Sequence, residues 1–399
     1  MGPNPIGRVI PIRSFASLRM TSSHHETTSS GDLLQSAAPL QSPFSLPATP
    51  DGEAFENCLR RKGTPERVHN VELYLDFEVQ QEIARRYGIW EGLDPEDRFY
   101  WPKCQIAIQR FLGYDYVTWG LWQDWKIPGL EAEDTAGLKR ESGRRFTDHH
   151  KGPVMSWQDF ERFDWPDAEK ADTSSLEWLE KNLPEDMCLI GGVTGHFLEY
   201  LTALMGYENL CYALADNREL VRAISNRVNE YFLRLYRTAV QFSRVRMVWG
   251  SDDLGFRTGT LISPQDLREF VLPAHKAAAK IFHDAGKLYL LHCCGQIDAI
   301  LEDLIEDVRI DAKHSYEDTI LPVTEAKRSF GGRIAVLGGI DMDFLCRSTQ
   351  EQVRERVRET LKVCQPGGGY CLGTGNTVAN FLPVDNYLAM LDEGRRFAS

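Results

Sequence analysis

The chain has 399 residues, 42% hydrophobic and 26% charged, and its 58 Asp and Glu outnumber 45 Lys and Arg for a formal charge of -13. This is ordinary globular composition, which excludes wholesale disorder and a fibrous repeat. The acidity argues against a nucleic-acid or anionic-membrane partner, whose phosphates want a basic face. No run approaches the ~18 apolar residues of a transmembrane helix. Nine cysteines, an odd count with Cys293 beside Cys294, point to a reducing, cytoplasmic setting rather than a disulfide scaffold.

Residues 1–52 read as a disordered tail. Twenty of the first 50 are Ser, Thr or Pro, none is Cys, Trp or Tyr, and the charge is +1. Such a stretch buries too little apolar area to offset its ordering entropy. A passive tail, a start at Met20 and an Arg/Ser-rich transit segment all fit it.

From Glu53 to Ser399 the chain reads as one domain. Eight short apolar runs alternate with helical stretches: Val68–Leu75, Tyr116–Gly120, Cys188–Val193, Val245–Gly250, Lys287–His292, Ile310–His314, Ile334–Gly339 and Tyr370–Thr374. Helix boundaries are marked between them. Ser263-Pro264 opens a helix that Gly286 closes, Ser348 with Glu351 predicts a capping box, and Asp216 can cap the helix carrying Leu220, Ile224, Val228 and Phe232. Strict alternation of eight strands and helices predicts a single (β/α)8 TIM barrel, α/β in class. The Asp124–Pro184 stretch is too long for a simple connection and reads as a β2–α2 insertion over the barrel mouth. Gly191-Gly192-Val193-Thr194-Gly195 lacks the dinucleotide spacing, and no Gly-Lys-Ser/Thr follows Gly367–Gly369.

In such a barrel the chemistry sits at the C-terminal strand ends. Those ends carry Glu72 and Tyr74; Trp119; Thr194, His196 and Glu199; Asp252, Asp253 and Arg257; His292 and Cys294; His314 and Glu317; Asp341; and Asn376. Strand alternation turns His292 and Cys294 to one face and Cys293 to the other, which begins a zinc site. Asp252-Asp253 can hold a cation, do acid–base work, or simply cap a turn. Trp119, Trp122 and Trp125 are either a wall for a planar ligand or packing.

Several motifs resemble the uroporphyrinogen decarboxylase superfamily, which also holds zinc-dependent, corrinoid-linked methyltransferases. They run in order over most of Glu53–Phe397: Phe55–Arg60 with Pro65–Val68, Leu112–Asp115, Ile262–Pro264 with Leu272-Pro273, His292–Gly295, and Leu372–Gly375 leading to Leu382-Pro383. The resemblance implies the same barrel. Authentic decarboxylases clamp substrate carboxylates with an Arg-rich segment after the first strand, and hold the pyrrole N–H groups with an Asp after the second. Here His69–Asp76 has no Arg and two acids, and Trp119–Trp122 has no Asp. A polyanionic substrate would meet repulsion there.

The His292-x-Cys294-Gly295 motif instead resembles the methyltransferase branch. In that branch zinc takes this His, this Cys and a later Cys, then activates a substrate thiol for methylation from methylcobamide on a partner corrinoid protein. The later Cys falls on Asn376; Cys371, Glu317 or Asp341 could replace it. The resemblance implies acid–base or ligand roles for Asp252, Asp253, Glu317 and Asp341, and a metal at His292 and Cys294. Glu72, His196, Glu199, Arg257, His314 and Asn376 would hold the small-molecule substrate. Uroporphyrinogen decarboxylation, a non-catalytic corrinoid- or tetrapyrrole-binding barrel, and a homodimer stay open.

Overall fold

A computed structural model of the protein describes residues 41–140 and 142–397. Seven of the apolar runs become strands: β1 (Tyr116–Thr118), β2 (Cys188–Thr194), β3 (Val245–Ser251), β4 (Leu288–His292), β5 (Ala312–His314), β6 (Ala335–Leu337) and β7 (Tyr370–Cys371). They are parallel and lie side by side in chain order. Each return therefore crosses the same face, and the sheet curls one way into a half-barrel instead of doubling back. Helices cover the outside, so strands such as Leu288–His292 are buried on both faces, which explains their unbroken apolar sequence.

The run Val68–Leu75 corrects the sequence reading, because it forms no regular strand. It meets the chain around and after β7 only through parallel bridges, Asn70 to Leu372 and Leu75 to Val378. The two intervals differ by one residue, a bulge that breaks the ladder. Side chains take the place of the missing backbone partners. Tyr116 Oη receives the Glu72 N–H at 2.9 Å and donates to Glu72 O at 3.0 Å, while Glu72 Oε1 accepts the Thr374 N–H at 2.7 Å. Gly373 permits this approach, since a Cβ there would stand 1.9 Å from Val71 O.

Helix ends move by a residue or two. Ser263 caps Pro264–Phe270 as expected, but a second helix, Leu272–Asp284, begins almost at once. Pro273 lacks an N–H and crowds the residue before it, so the helical bond pattern cannot run through. The capping box joins Thr349 and Gln352, because Ser348 still closes the helix Met342–Arg347. Asn217, not Asp216, caps Arg218–Ala239.

Residues 1–40 of the expected tail lie outside the described residues. The stretch 41–52 is docked: Phe44 packs on Phe111 at 5.5 Å between centroids, and Ser45 N–H and O–H both donate to Asp392 Oδ1 at 2.7 Å. Asp51 caps the helix Gly52–Leu59. These contacts fall within the stretch that composition assigned to the tail.

Between β1 and β2 the chain builds an antiparallel hairpin (Leu130–Ala132 with Arg144–Phe146) and the helices Trp157–Arg162 and Ser174–Asn182. Polar contacts tie the hairpin to the chain leaving Leu75 and β7. Arg140 reaches Glu78 at 2.9 Å and Asp76 at 3.3 Å, while Asp134 accepts from Arg144 at 2.8 Å and from Asn380 at 2.6 Å. Trp125 is buried among Trp165, Tyr200, Tyr231 and Phe232, so at that position the tryptophan cluster is packing. Among the described residues no helix is long and apolar enough to cross a membrane.

Candidate metal centre

Register brings three strand ends together. Ser251 on β3 pairs with His292 on β4, and His292 pairs with His314 on β5. The chain leaving β3 supplies Asp253 and the chain leaving β4 supplies Cys294. One potential ligand atom from each of Asp253, His292 and Cys294 lies within 4.8 Å of the others. Cys294 Sγ is 3.3 Å from His292 Nε2; it accepts from Asn376 Nδ2 at 3.2 Å and from Ser315 Oγ at 3.6 Å. Cys293 points away and is buried, as alternation requires. Gly295, at φ +78°, lets the Cys294 turn press onto the Gly255–Phe256 backbone, where a Cβ would sit 2.2 Å from Gly255 O.

The protonation of His292 follows from what stands behind it. Burial pushes His314 down to about 4, and burial together with His314 and Lys313 holds His292 well below the usual imidazole range, so both rings are neutral. The Thr374 carbonyl can only accept, so His314 Nε2 carries a proton and donates to it at 3.1 Å. His314 Nδ1 is then the acceptor for His292 Nδ1–H at 2.8 Å. His292 Nε2 is left as a bare lone pair facing Cys294 and Asp253, the form a metal requires.

The acids divide. Burial, then the charge of Glu199, lifts Asp253 to about 7; burial and Asp253 together raise the Cys294 thiol well above its ordinary value. Asp252, fully buried, turns away: it accepts the N–H groups of Leu198 and Glu199 at 2.9–3.0 Å, capping the helix Phe197–Met205, and meets His275 Nε2 at 3.1 Å. Asp341 likewise caps Met342–Arg347 and accepts the Asp318 N–H at 2.9 Å. Glu72 is buried, with both oxygens on Thr374. Glu317 is partly buried, and desolvation and Asp341 raise its pKa. Arg257 is exposed in the turn between the short strands Gly255–Phe256 and Gly259–Thr260.

His196 and Glu199 form a close pair through Nδ1 and Oε2. Burial works against a charged His196, yet Glu199, Asp252 and Asp253 outweigh it and raise the imidazole. Among the described residues, Glu199 Oε1 and Ser251 Oγ here are buried with no hydrogen-bond partner. Cys371, on β7, is fully buried and sits against Cys58, away from the triad. Ser315 and the Thr374 carbonyl escaped the sequence reading. Ser315 follows His314 directly and was within reach of it, whereas a backbone carbonyl leaves no mark on sequence.

The donor set is one nitrogen, one thiol sulfur and one carboxylate, which suits zinc. Orphaned polar atoms beside it fit a site that receives a ligand. Residues 138–397 match the family model described as uroporphyrinogen decarboxylase (URO-D). Methyltransferases are among the relatives. The chain is 27% identical over 191 residues to the methylated-thiol–coenzyme M methyltransferase of Methanosarcina mazei, 47% of either chain. It is 27% identical over 131 residues to a methylcobamide:CoM methyltransferase of Methanosarcina barkeri, 33% of this chain and 36% of that one. A uroporphyrinogen decarboxylase of Cupriavidus necator matches at 33% over 82 residues, 20% of this chain and 22% of the other. The chain thus spans about half or less of the curated relatives it matches. A solved methyltransferase from Methanosarcina mazei superposes with a TM-score of 0.64 at 15% identity, covering 86% of this chain and 98% of that one, which establishes the shared fold. By the match over residues 138–397, the chain belongs to the uroporphyrinogen decarboxylase family.

Proposed function

We propose that this protein is a zinc-dependent methyltransferase that passes a methyl group from a corrinoid, carried on a separate protein, to a small thiol. The observation that carries it is the convergence of Asp253, His292 and Cys294 donor atoms within 4.8 Å of one another at adjacent strand ends. His292 Nε2, Cys294 Sγ and an Asp253 oxygen would hold the ion, with Asp253 taking the place expected of a later cysteine. A zinc ion there supplies the Lewis acidity that keeps a thiol deprotonated near neutral pH. His314 and Thr374 fix the His292 ring, and Asn376 and Ser315 orient Cys294 Sγ by donating to it. Asp252 and Asp341 are committed to helix caps and Asp253 to the ion, so proton handling falls to Glu317. The relatives' names agree with this reading.

The same reading takes residues 53–399 as a catalytic unit in a reducing cytoplasm, with 124–184 inserted over the mouth of the half-barrel. Purified protein is expected to hold about one zinc per chain, and His292→Ala with Cys294→Ala to lose both the metal and methyl transfer from methylcobamide to thiol. Wild-type protein stripped of metal and still fully active ends this proposal.

A further inference from the structure

Beside the triad stands a buried carboxylate oxygen that the fold leaves without a donor. Glu199 lies in the first turn of the helix Phe197–Met205, is 8% exposed, and gives Oε2 to His196 Nδ1. Its other oxygen, Oε1, has no hydrogen-bond partner among the described residues. Whichever of the two holds the shared proton, that proton lies between Nδ1 and Oε2, so Oε1 is an acceptor in either state. A buried acceptor left unmet is costly, so a ligand that brings a donor gains there.

A neighbouring orphan agrees. Ser251 Oγ, at the end of β3, is also buried without a hydrogen-bond partner among the described residues, and Ser251 is in register with His292. The groups whose charges bear on this space are mostly acidic: Asp253 and Tyr74 both feel Glu199. The guanidiniums of the hairpin above, Arg140 and Arg144, are committed to Asp76, Glu78 and Asp134. Lys313 turns its amine to Ser315 O at 2.7 Å.

Resting on the thiol-transfer reading, we infer that the acceptor is an aminothiol, whose ammonium group is received by Glu199 Oε1 while its sulfur sits at the Asp253–His292–Cys294 site. The His196–Glu199 pair is neutral as a whole, so the choice rests on the Oε1 acceptor, which an ammonium or hydroxyl donor meets and a sulfonate, having only acceptors, does not.

Three thiols with one two-carbon spacer separate the possibilities: 2-aminoethanethiol, 2-mercaptoethanol and 2-mercaptoethanesulfonate. Binding to the full-length zinc-loaded protein is measured by calorimetry, and to the cobalt-substituted protein by thiolate-to-metal absorption. The ammonium thiol is expected to bind about tenfold tighter than the sulfonate, with the neutral thiol between. Glu199→Gln, with an unchanged thermal transition, should collapse the three to similar affinities. Equal binding of all three, or tighter binding of the sulfonate, by wild-type protein overturns the aminothiol assignment and leaves the metal–thiol reading standing. Zinc retained with no thiol bound at all removes both.

Discussion

The tautomer relay behind His292 makes a demanding prediction. Replacing His314 with Leu deletes the acceptor of His292 Nδ1–H, a 2.8 Å bond with both rings buried, without touching a proposed ligand. The ring then either keeps a buried donor unmet or moves its proton to Nε2, which blocks the lone pair that a metal needs. Leaving a buried donor unpaired costs about 1–3 kcal/mol, and 1.4 kcal/mol is about tenfold in an equilibrium constant. Zinc affinity should therefore fall by roughly 10- to 100-fold, the range seen when the partner of a ligating histidine is removed. Competition against a chromophoric chelator of known affinity measures it directly, and the melting curve of the metal-free variant checks that the fold survives. The relay is refuted if His314→Leu binds zinc as tightly as wild type while His292→Ala does not.

Asp252 and Asp253 should separate cleanly. Asp252→Ala removes a buried cap and is expected to lower stability by about 2–4 kcal/mol in urea melts while zinc stoichiometry holds; Asp253→Ala should weaken zinc with little change in the metal-free melt. Burial holds the Cys294 thiol protonated at neutral pH and Asp253 near its midpoint at about 7. Zinc uptake below pH 7 should thus release about one to two protons per ion, seen as buffer-dependent heats, and affinity should rise with pH. No proton release would contradict that donor set. Desolvation lifts Glu72 from its ordinary 4.5 to about 8, so the folded state binds its proton more tightly than the unfolded chain. Stability from this source is full below about pH 4.5 and is lost as pH rises to about 8, a swing on the order of 5 kcal/mol. Glu72→Gln keeps the Thr374 contacts without the charge and should flatten the decline in denaturant melts between pH 5 and 9; an unchanged slope would place the source elsewhere.

How much of this was legible in the sequence depends on how far each feature reaches. The strands of the half-barrel are buried on both faces, so each announces itself as a local apolar run. His292 and Cys294 are legible for a similar reason, since two residues apart at a strand end is one face. Val68–Leu75 looks like the others but is held by Tyr116 and by the Glu72–Thr374 contact, 44 and 302 residues away, and no local pattern encodes such partners. Asp252 and Asp253 are adjacent and chemically identical, yet one is taken by a helix that begins 55 residues earlier in the chain and the other faces His292 and Cys294. His314 was placed at the mouth by its strand position; register with His292 puts it behind the first ring instead, where it acts on that ring's proton. Net charge is the extreme case. A formal -13 spread over the chain says only what the protein avoids. The acidity bearing on function is that of Glu199 and Asp253 near the ends of β2 and β3, partly offset by His196, and it exists only once the parallel register has brought those ends together. On the aminothiol proposal, ligand choice is for that reason a tertiary property, resting on one unpaired carboxylate oxygen rather than on the His292-x-Cys294 motif.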